Sequence, residues 1–307
     1  MDQAVWTNAK KLNGLVPKNE NLTQEWSLSG ASKSALRTGF KMGPFYLDAG
    51  HSVFSSWNVL LISHGHADHI FSLPSFFMVD DPKPDRIVIG PQIHKIKGYA
   101  QQLLNCNYNV FDAPLNAVFH NAPKIDNYRI GREQYQISIM KLVHRVPTYG
   151  YGISRLSQRI NPLLLELKET LSPRDFGMFM ASLKKKKPNK EIPAKYHVEP
   201  EIPVTLPQFC YLTDTSIKGI SNHIDQIKTY PIIIVECTFY HQEDLDHAVQ
   251  KQHIHWTQIN PYIKSNPDNL WVLIHSSTRY NDLEVIRQAV PVSYTHLRAH
   301  CLLYTSP

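Results

Sequence analysis

Residues 60 to 70 read LLISHGHADHI, which places His64, His66, Asp68 and His69 directly after an apolar run. Imidazole and carboxylate are the side chains that hold divalent ions such as zinc, manganese and iron. In an extended backbone residues two apart point the same way, so His64 and His66 can present their rings to one ion. Asp68 and His69 follow as the chain turns toward a helix, where adjacent side chains diverge from the first pair. The spacing suggests two metals side by side. A structural zinc would use four ligands in a compact tetrahedron, usually with cysteine. Apolar runs elsewhere in the chain also close on polar or histidine-containing turns, MKLVHRVPTYGYGI, YLTDTS and VLIHSSTRY among them.

The elements that must position these residues are short β-branched runs at 45–50, 59–64, 86–91, 135–144, 209–216, 232–238 and 270–277. Strands apolar on both faces belong inside layered sheets. Helical periodicity lies between them at 92–105, 172–187, 253–264 and 282–290, so the chain reads as an α/β protein with helices covering a sheet sandwich. Residues 154–207 depart from the pattern: they show no clear strand, contain the run Lys184, Lys185, Lys186, Lys187, and end in the proline-rich EIPAKYHVEPEIPVTLP. This reads as a helical insertion flanked by extended linker and protruding from the core. The lysines suit a solvated helix end as well as a binding arm.

With 42% hydrophobic and 19% charged residues among 307, the composition is that of a soluble globular chain. No run of about 18 apolar residues is present, and the opening segment lacks a signal-like apolar region, so a cytoplasmic or nuclear compartment is expected. Cys106, Cys210, Cys237 and Cys301 form no CxxC pair and fit a reducing compartment. The net charge of +6 favours polyanionic partners. The last segment, PVSYTHLRAHCLLYTSP (291–307), follows an amphipathic stretch but has no period of its own and resembles a translated adapter read. We therefore expect 1–290 to form the domain and 291–307 to be a chimeric tail replacing the native end, which discounts His296 and His300 as ligands.

The order His64, His66, Asp68, His69 resembles the HxHxDH motif of the metallo-β-lactamase superfamily. That resemblance implies an αββα four-layer sandwich, one metal held by His64, His66 and His144, a second by Asp68, His69 and His275, and Asp214 bridging them. Two Zn²⁺ ions are implied, with Mn²⁺ or Fe²⁺ left open by the ligand types. FYLDAG, HRVPTYGYGI, IIIVECTFY and HSSTRY look like the ribonuclease Z branch, the tRNA 3′-processing endonucleases, over roughly residues 40 to 285 outside much of the insertion. In that branch a glutamate and a histidine act at the leaving group. Glu236 matches the glutamate and His253 the histidine, with His255 two positions on as the alternative. The motif departs from the branch in continuing with Ile254, His255 and Trp256, and the insertion holds Gly177 as its one glycine where many members are glycine-rich. The resemblance further implies precursor tRNA as substrate, the lysine-bearing insertion as its arm, Asp68 orienting or deprotonating the attacking water, and a homodimer. Two other readings share the same ligands: a hydrolase of small phosphodiesters, thioesters or lactams, and a binding protein that keeps the fold without catalysis.

Overall fold

The computed structural model describes residues 10–12, 15–16, 22, 24–51, 57–78, 86–108, 114–122, 126–130, 132–186, 192–289 and 301–303. Seven strands pair in chain order in a first sheet: β1 (Lys10–Lys11), β2 (Ser27–Lys33), β3 (Arg37–Met42), β4 (Phe45–Leu47), β5 (Val59–Leu61), β6 (Ile87–Gly90) and β7 (Val118–Asn121). Seven more form a second: β8 (Asp126–Ile130), β9 (Glu133–Lys141), β10 (Tyr149–Ile160), β11 (Glu201–Leu212), β12 (Ile232–Glu236), β13 (Leu270–Ile274) and β14 (Cys301–Leu303). The two sheets share one plan. In each, the first four strands run antiparallel and the fourth begins a parallel set of four.

Alternation along the strands sorts side chains into layers. In β12, Ile232 and Ile234 join a central core with Phe45, Leu61, Phe209 and Val272 between the sheets. Ile233 and Val235 point to the opposite face. There they pack under α5 (Ile217–Ser221), α6 (Ile224–Ile227), α7 (Leu245–Lys251), α8 (Trp256–Ser265) and α9 (Asp282–Ala289), through residues such as Ile220, Ile227, Ala248, Ile259 and Val285. On the outer face of the first sheet Tyr46, Leu60 and Val88 meet Ile93, Ile96, Ala100 and Leu104 of α2 (Ile93–Tyr108). The result is the expected αββα sandwich. Each expected strand and helix is present. The strands passed over, β2 (SLSGASK) and β3 (RTGFKM) among them, carry too many polar residues for an apolar-run criterion to find.

The 154–207 insertion differs from the extended linker expected. It begins and ends in paired strands, with β10 and β11 antiparallel from Tyr151 opposite Tyr211 to Ile160 opposite Glu201. Pro203 and Pro207 disguise β11 in the sequence. They are tolerated because β12 pairs only from Phe209 onward, leaving that edge of the ribbon without a ladder to break. At the tip stand α3 (Pro162–Thr170) and α4 (Pro173–Lys184), each with proline in the first turn and a side-chain cap, Asn161 accepting from Leu163 N and Ser172 from Asp175 N. Leu164, Leu167, Phe176, Phe179, Leu183 and Tyr196 give this tip its own small core. Within 291–307, Cys301–Leu303 pair in parallel with β13 at its open edge, a three-residue run too short to show a period. The rest of that tail lies outside the described residues.

Candidate metal centre

Each residue that sequence reasoning singled out as a ligand sits where a strand of the sandwich ends. His64, His66, Asp68 and His69 follow β5, and the last two open α1 (Ala67–Ile70). His144 lies in the turn between β9 and β10, Asp214 follows β11 and His275 follows β13. The loops after the parallel strands β5, β11, β12 and β13 thus meet over one cleft, the usual place for a site in sheets of this kind. Asp214 stands in its middle. One carboxylate oxygen lies 3.7 Å from His64 Nε2 and 3.9 Å from His144 Nε2, the other 3.3 Å from His69 Nε2 and 3.2 Å from His275 Nε2. His66 Nδ1 is 3.0 Å from His64 Nε2 and 3.4 Å from His144 Nε2. Asp68 Oδ2 is 3.3 Å from His275 Nε2. Three groups result, His64, His66, His144 with Asp214, then Asp68, His69 with His275, and a third of Asp214, His253 and His275 that overlaps both, the donor atoms within each lying inside 4.8 Å of one another.

The donor set passes a test of fit to divalent cations. Burial pushes the His64 imidazole well below its ordinary pKa and lowers His66 and His144 as well, so these rings are neutral with a lone pair to offer. Against the opposing effect of burial, His275 and His69 pull Asp68 down to about 2 and hold Asp214 well below the carboxylate range. His69 is the exception. Burial works against its charge, yet the carboxylates of Asp214 and Asp48 hold it well above the histidine range. Its Nδ1–H donates to Asp48 at 2.7 Å, while its buried Nε2 has no hydrogen-bond partner and faces Asp214 and Asp68. A buried ring nitrogen without a hydrogen-bond partner, opposite two carboxylates, marks a place where positive charge is favoured, carried by the His69 imidazolium or by an ion that displaces its proton. The neighbours fix the other tautomers in the same sense. Ser63 Oγ donates to Asp48 and so accepts from His64 Nδ1–H. Thr238 Oγ1 donates to Glu236 and so accepts from His275 Nδ1–H. His144 Nδ1–H donates to the carbonyl of Gln252. In all three, Nε2 is left facing the cleft.

Asp48 is the functional residue that sequence reasoning missed. Fully buried, it accepts from Ser63 N, Ser63 Oγ, Tyr211 Oη and His69 Nδ1, all within 2.8 Å. Its signal was an acidic residue closing the apolar run of FYLDAG, a setting it shares with Asp214. The same run is clamped to the metal loop: Ala49 N donates to His69 O, and a Cβ on Gly50 would stand 1.6 Å from Asp68 O. Asp48 and His275 both have left-handed backbone, φ 60° and 65°, which non-glycine residues adopt at a cost.

Beside the cluster Glu236, fully buried at the end of β12, accepts from Thr215 N, Thr238 Oγ1 and Ile254 N and lies 2.9 Å from His253 Nδ1. The carboxylate outweighs burial and raises the His253 imidazole to about 9. The histidine left open between two positions is therefore separated by geometry. His255 instead caps α8, accepting from Thr257 N, with its Nε2 2.8 Å from His241 O. Arg145 is exposed next to His144, and its charge is felt at both His66 and His253. The lysine run lies elsewhere, at the end of α4 on the insertion, where Lys184 pairs with Glu201 at 2.8 Å and Lys185 and Lys186 are exposed. Lys187 lies outside the described residues.

No family model matches the chain. Over 237 residues it is 24% identical to the chloroplastic tRNase Z TRZ2 of Arabidopsis thaliana, a match covering 75% of this chain and 60% of that relative. Over 263 residues it is 25% identical to a ribonuclease Z of Methanococcus maripaludis, covering 80% of this chain and 79% of the relative. The structure superimposes on the metallo-β-lactamase fold protein YhfI of Bacillus subtilis with a TM-score of 0.54 at 13% identity, covering 90% of this chain and 94% of that one. The chain has the metallo-β-lactamase fold, and its curated relatives carry the ribonuclease Z name.

Asp48→Asn keeps the shape of the anchor and removes the charge that orients His69 and Ser63. We expect metal affinity, measured by competition with a chromogenic chelator, to fall about 10- to 100-fold. Unchanged affinity would show that Asp48 supports the fold alone.

Proposed function

We propose that the chain is a metal-dependent phosphodiesterase that generates tRNA 3′ ends. The observation that carries this reading is the buried Glu236–His253 pair at the edge of a histidine and carboxylate cluster centred on Asp214. A site that only bound metal would have no use for a second, oriented proton carrier. The relatives' names supply the substrate class.

His64, His66 and His144 would hold one ion, Asp68, His69 and His275 the other, and Asp214 both; zinc accepts this mix of imidazole and carboxylate, as do manganese and iron. Such ions supply Lewis acidity toward phosphoryl oxygens and a water acidic enough to ionise near neutral pH. The chain's own residues do the rest. The Asp68 carboxylate, ionised at any physiological pH, orients the attacking water and draws on its proton. His253 carries a proton at neutral pH and delivers it to the departing 3′-oxygen, held in aim by Glu236. Arg145, exposed at the rim, meets phosphate charge.

The insertion serves as an arm for the body of the RNA. It carries ten lysines and arginines against six acidic residues, and its separate core lets it stand away from the cleft. In this reading the protein works as a soluble enzyme, and a second subunit shares the grip on tRNA. Among the described residues no helix is long and apolar enough to cross a membrane.

Purified protein with Zn²⁺ or Mn²⁺ should cut a 3′-extended precursor tRNA just after the discriminator nucleotide, and Asp68→Ala should abolish the cut. Turnover of a small diester without tRNA cleavage would overturn the substrate assignment. His253→Ala should cost about 100-fold or more in kcat on tRNA, whose alkoxide needs a proton, and far less on bis(p-nitrophenyl) phosphate, whose phenolate leaves unaided. Equal losses on both would remove the proton-donor role. Replacing Lys184, Lys185, Lys186 and Lys187 with alanine should raise KM on tRNA and flatten its salt dependence while sparing the small diester.

A further inference from the structure

Next to the metal loop lies a cleft of about 160 Å³ that the chemistry above leaves unused. Its walls are Ile70, Ile96, Val146 and Pro147, its floor reaches Gly65, and Lys95 stands at its rim. We infer that this cleft receives the base of the nucleotide on the 3′ side of the scissile phosphate, an inference that rests on the phosphodiesterase reading above.

Size, chemistry and placement support this occupant. The volume is well below the roughly 300 Å³ at which pockets for drug-sized ligands begin, which suits a single ring system. Aliphatic and proline side chains pack against the face of a flat heterocycle, and Gln92, which also lines the cleft, offers an amide to its edge. Lys95, exposed on α2, offers positive charge where the backbone of such a nucleotide would continue. Gly65 makes the cleft continuous with the cluster, because it sits between His64 and His66. A Cβ added there would meet nothing within 4 Å, so the space above the metal loop is open.

The side of the scissile bond follows from the position of the proton donor. Glu236 and His253 come from the end of β12 and the α7–α8 junction, on the second sheet. The cleft is built by the loop after β5 and by α2, on the first sheet, together with the turn after His144. The nucleotide whose 3′-oxygen departs must lie toward His253. The nucleotide that keeps the phosphate as a 5′-phosphate must lie away from it, toward the cleft. Water adds to phosphorus as the P–O3′ bond breaks; the proton from His253 goes to that oxygen, and the trailer leaves with the phosphate.

The test compares two precursors that differ only at the first trailer nucleotide, one with its base and one abasic, cleaved by the wild-type chain and by Val146→Trp, which fills the cleft. The readout is the ratio of kcat/KM for the two substrates, which is independent of the fraction of each preparation that is folded. We expect the wild-type chain to favour the intact substrate about tenfold and the variant to show a ratio near one. Cleavage of both precursors at equal rates by the wild-type chain would overturn the cleft assignment and leave the phosphodiesterase reading intact. A base effect of the same size in Val146→Trp would place the recognition elsewhere. Absence of any precursor cleavage would remove the tRNA-processing reading and this inference together.

Discussion

A carboxylate with almost no access to water, Asp214, stands between four imidazoles, and the rest of the site is organised by the need to compensate it. An isolated buried charge costs several kcal/mol even after relaxation, so it persists only where positive charge or donors converge on it. The rings cannot supply that charge uniformly, because burial drives His64, His66 and His144 toward the neutral form. Neutral imidazoles gathered around an ionised carboxylate, His64 and His144 through Nε2 and His66 through Nδ1, form a donor set that divalent ions would complete.

The fold provides this convergence by using one strand plan twice. Each sheet delivers a set of parallel strands, and the loops at the carboxyl ends of β5, β11, β12 and β13 meet across the sandwich. A central core between the sheets fixes those strand ends relative to one another. Behind the candidate ligands, Asp48, Ser63, Thr238 and Gln252 set which ring nitrogen carries the proton. The left-handed backbone at Asp48 and His275 is the local cost of aiming the site. Glu236 links its parts, since it fixes both Thr238 behind His275 and the ring of His253.

Much of this was legible in the sequence for a physical reason. A residue that binds metal at a strand end interrupts an apolar run with a polar side chain, and LLISHGHADHI, YLTDTS and VLIHSSTRY all show that interruption. The strands of the parallel sets are buried on both faces and therefore read as continuous apolar runs. β2, β3 and the ribbon half of β10 and β11 did not, because they alternate with polar residues or contain proline. Asp48 was visible yet unassigned, since nothing in a sequence says that FYLDAG lies against the metal loop. The choice between His253 and His255 also needed the fold: helix α8 begins at Trp256, so His255 is spent on its cap and His253 is free to meet Glu236.

The central claim is a pair of ions joined by one carboxylate, and counting metal tests it most directly. Elemental analysis of the purified chain after dialysis against trace zinc should give about two ions per chain, falling to one or fewer in Asp214→Ala with the fold retained by circular dichroism. A wild-type chain that binds no metal, or an Asp214→Ala chain that keeps both ions, would contradict the account.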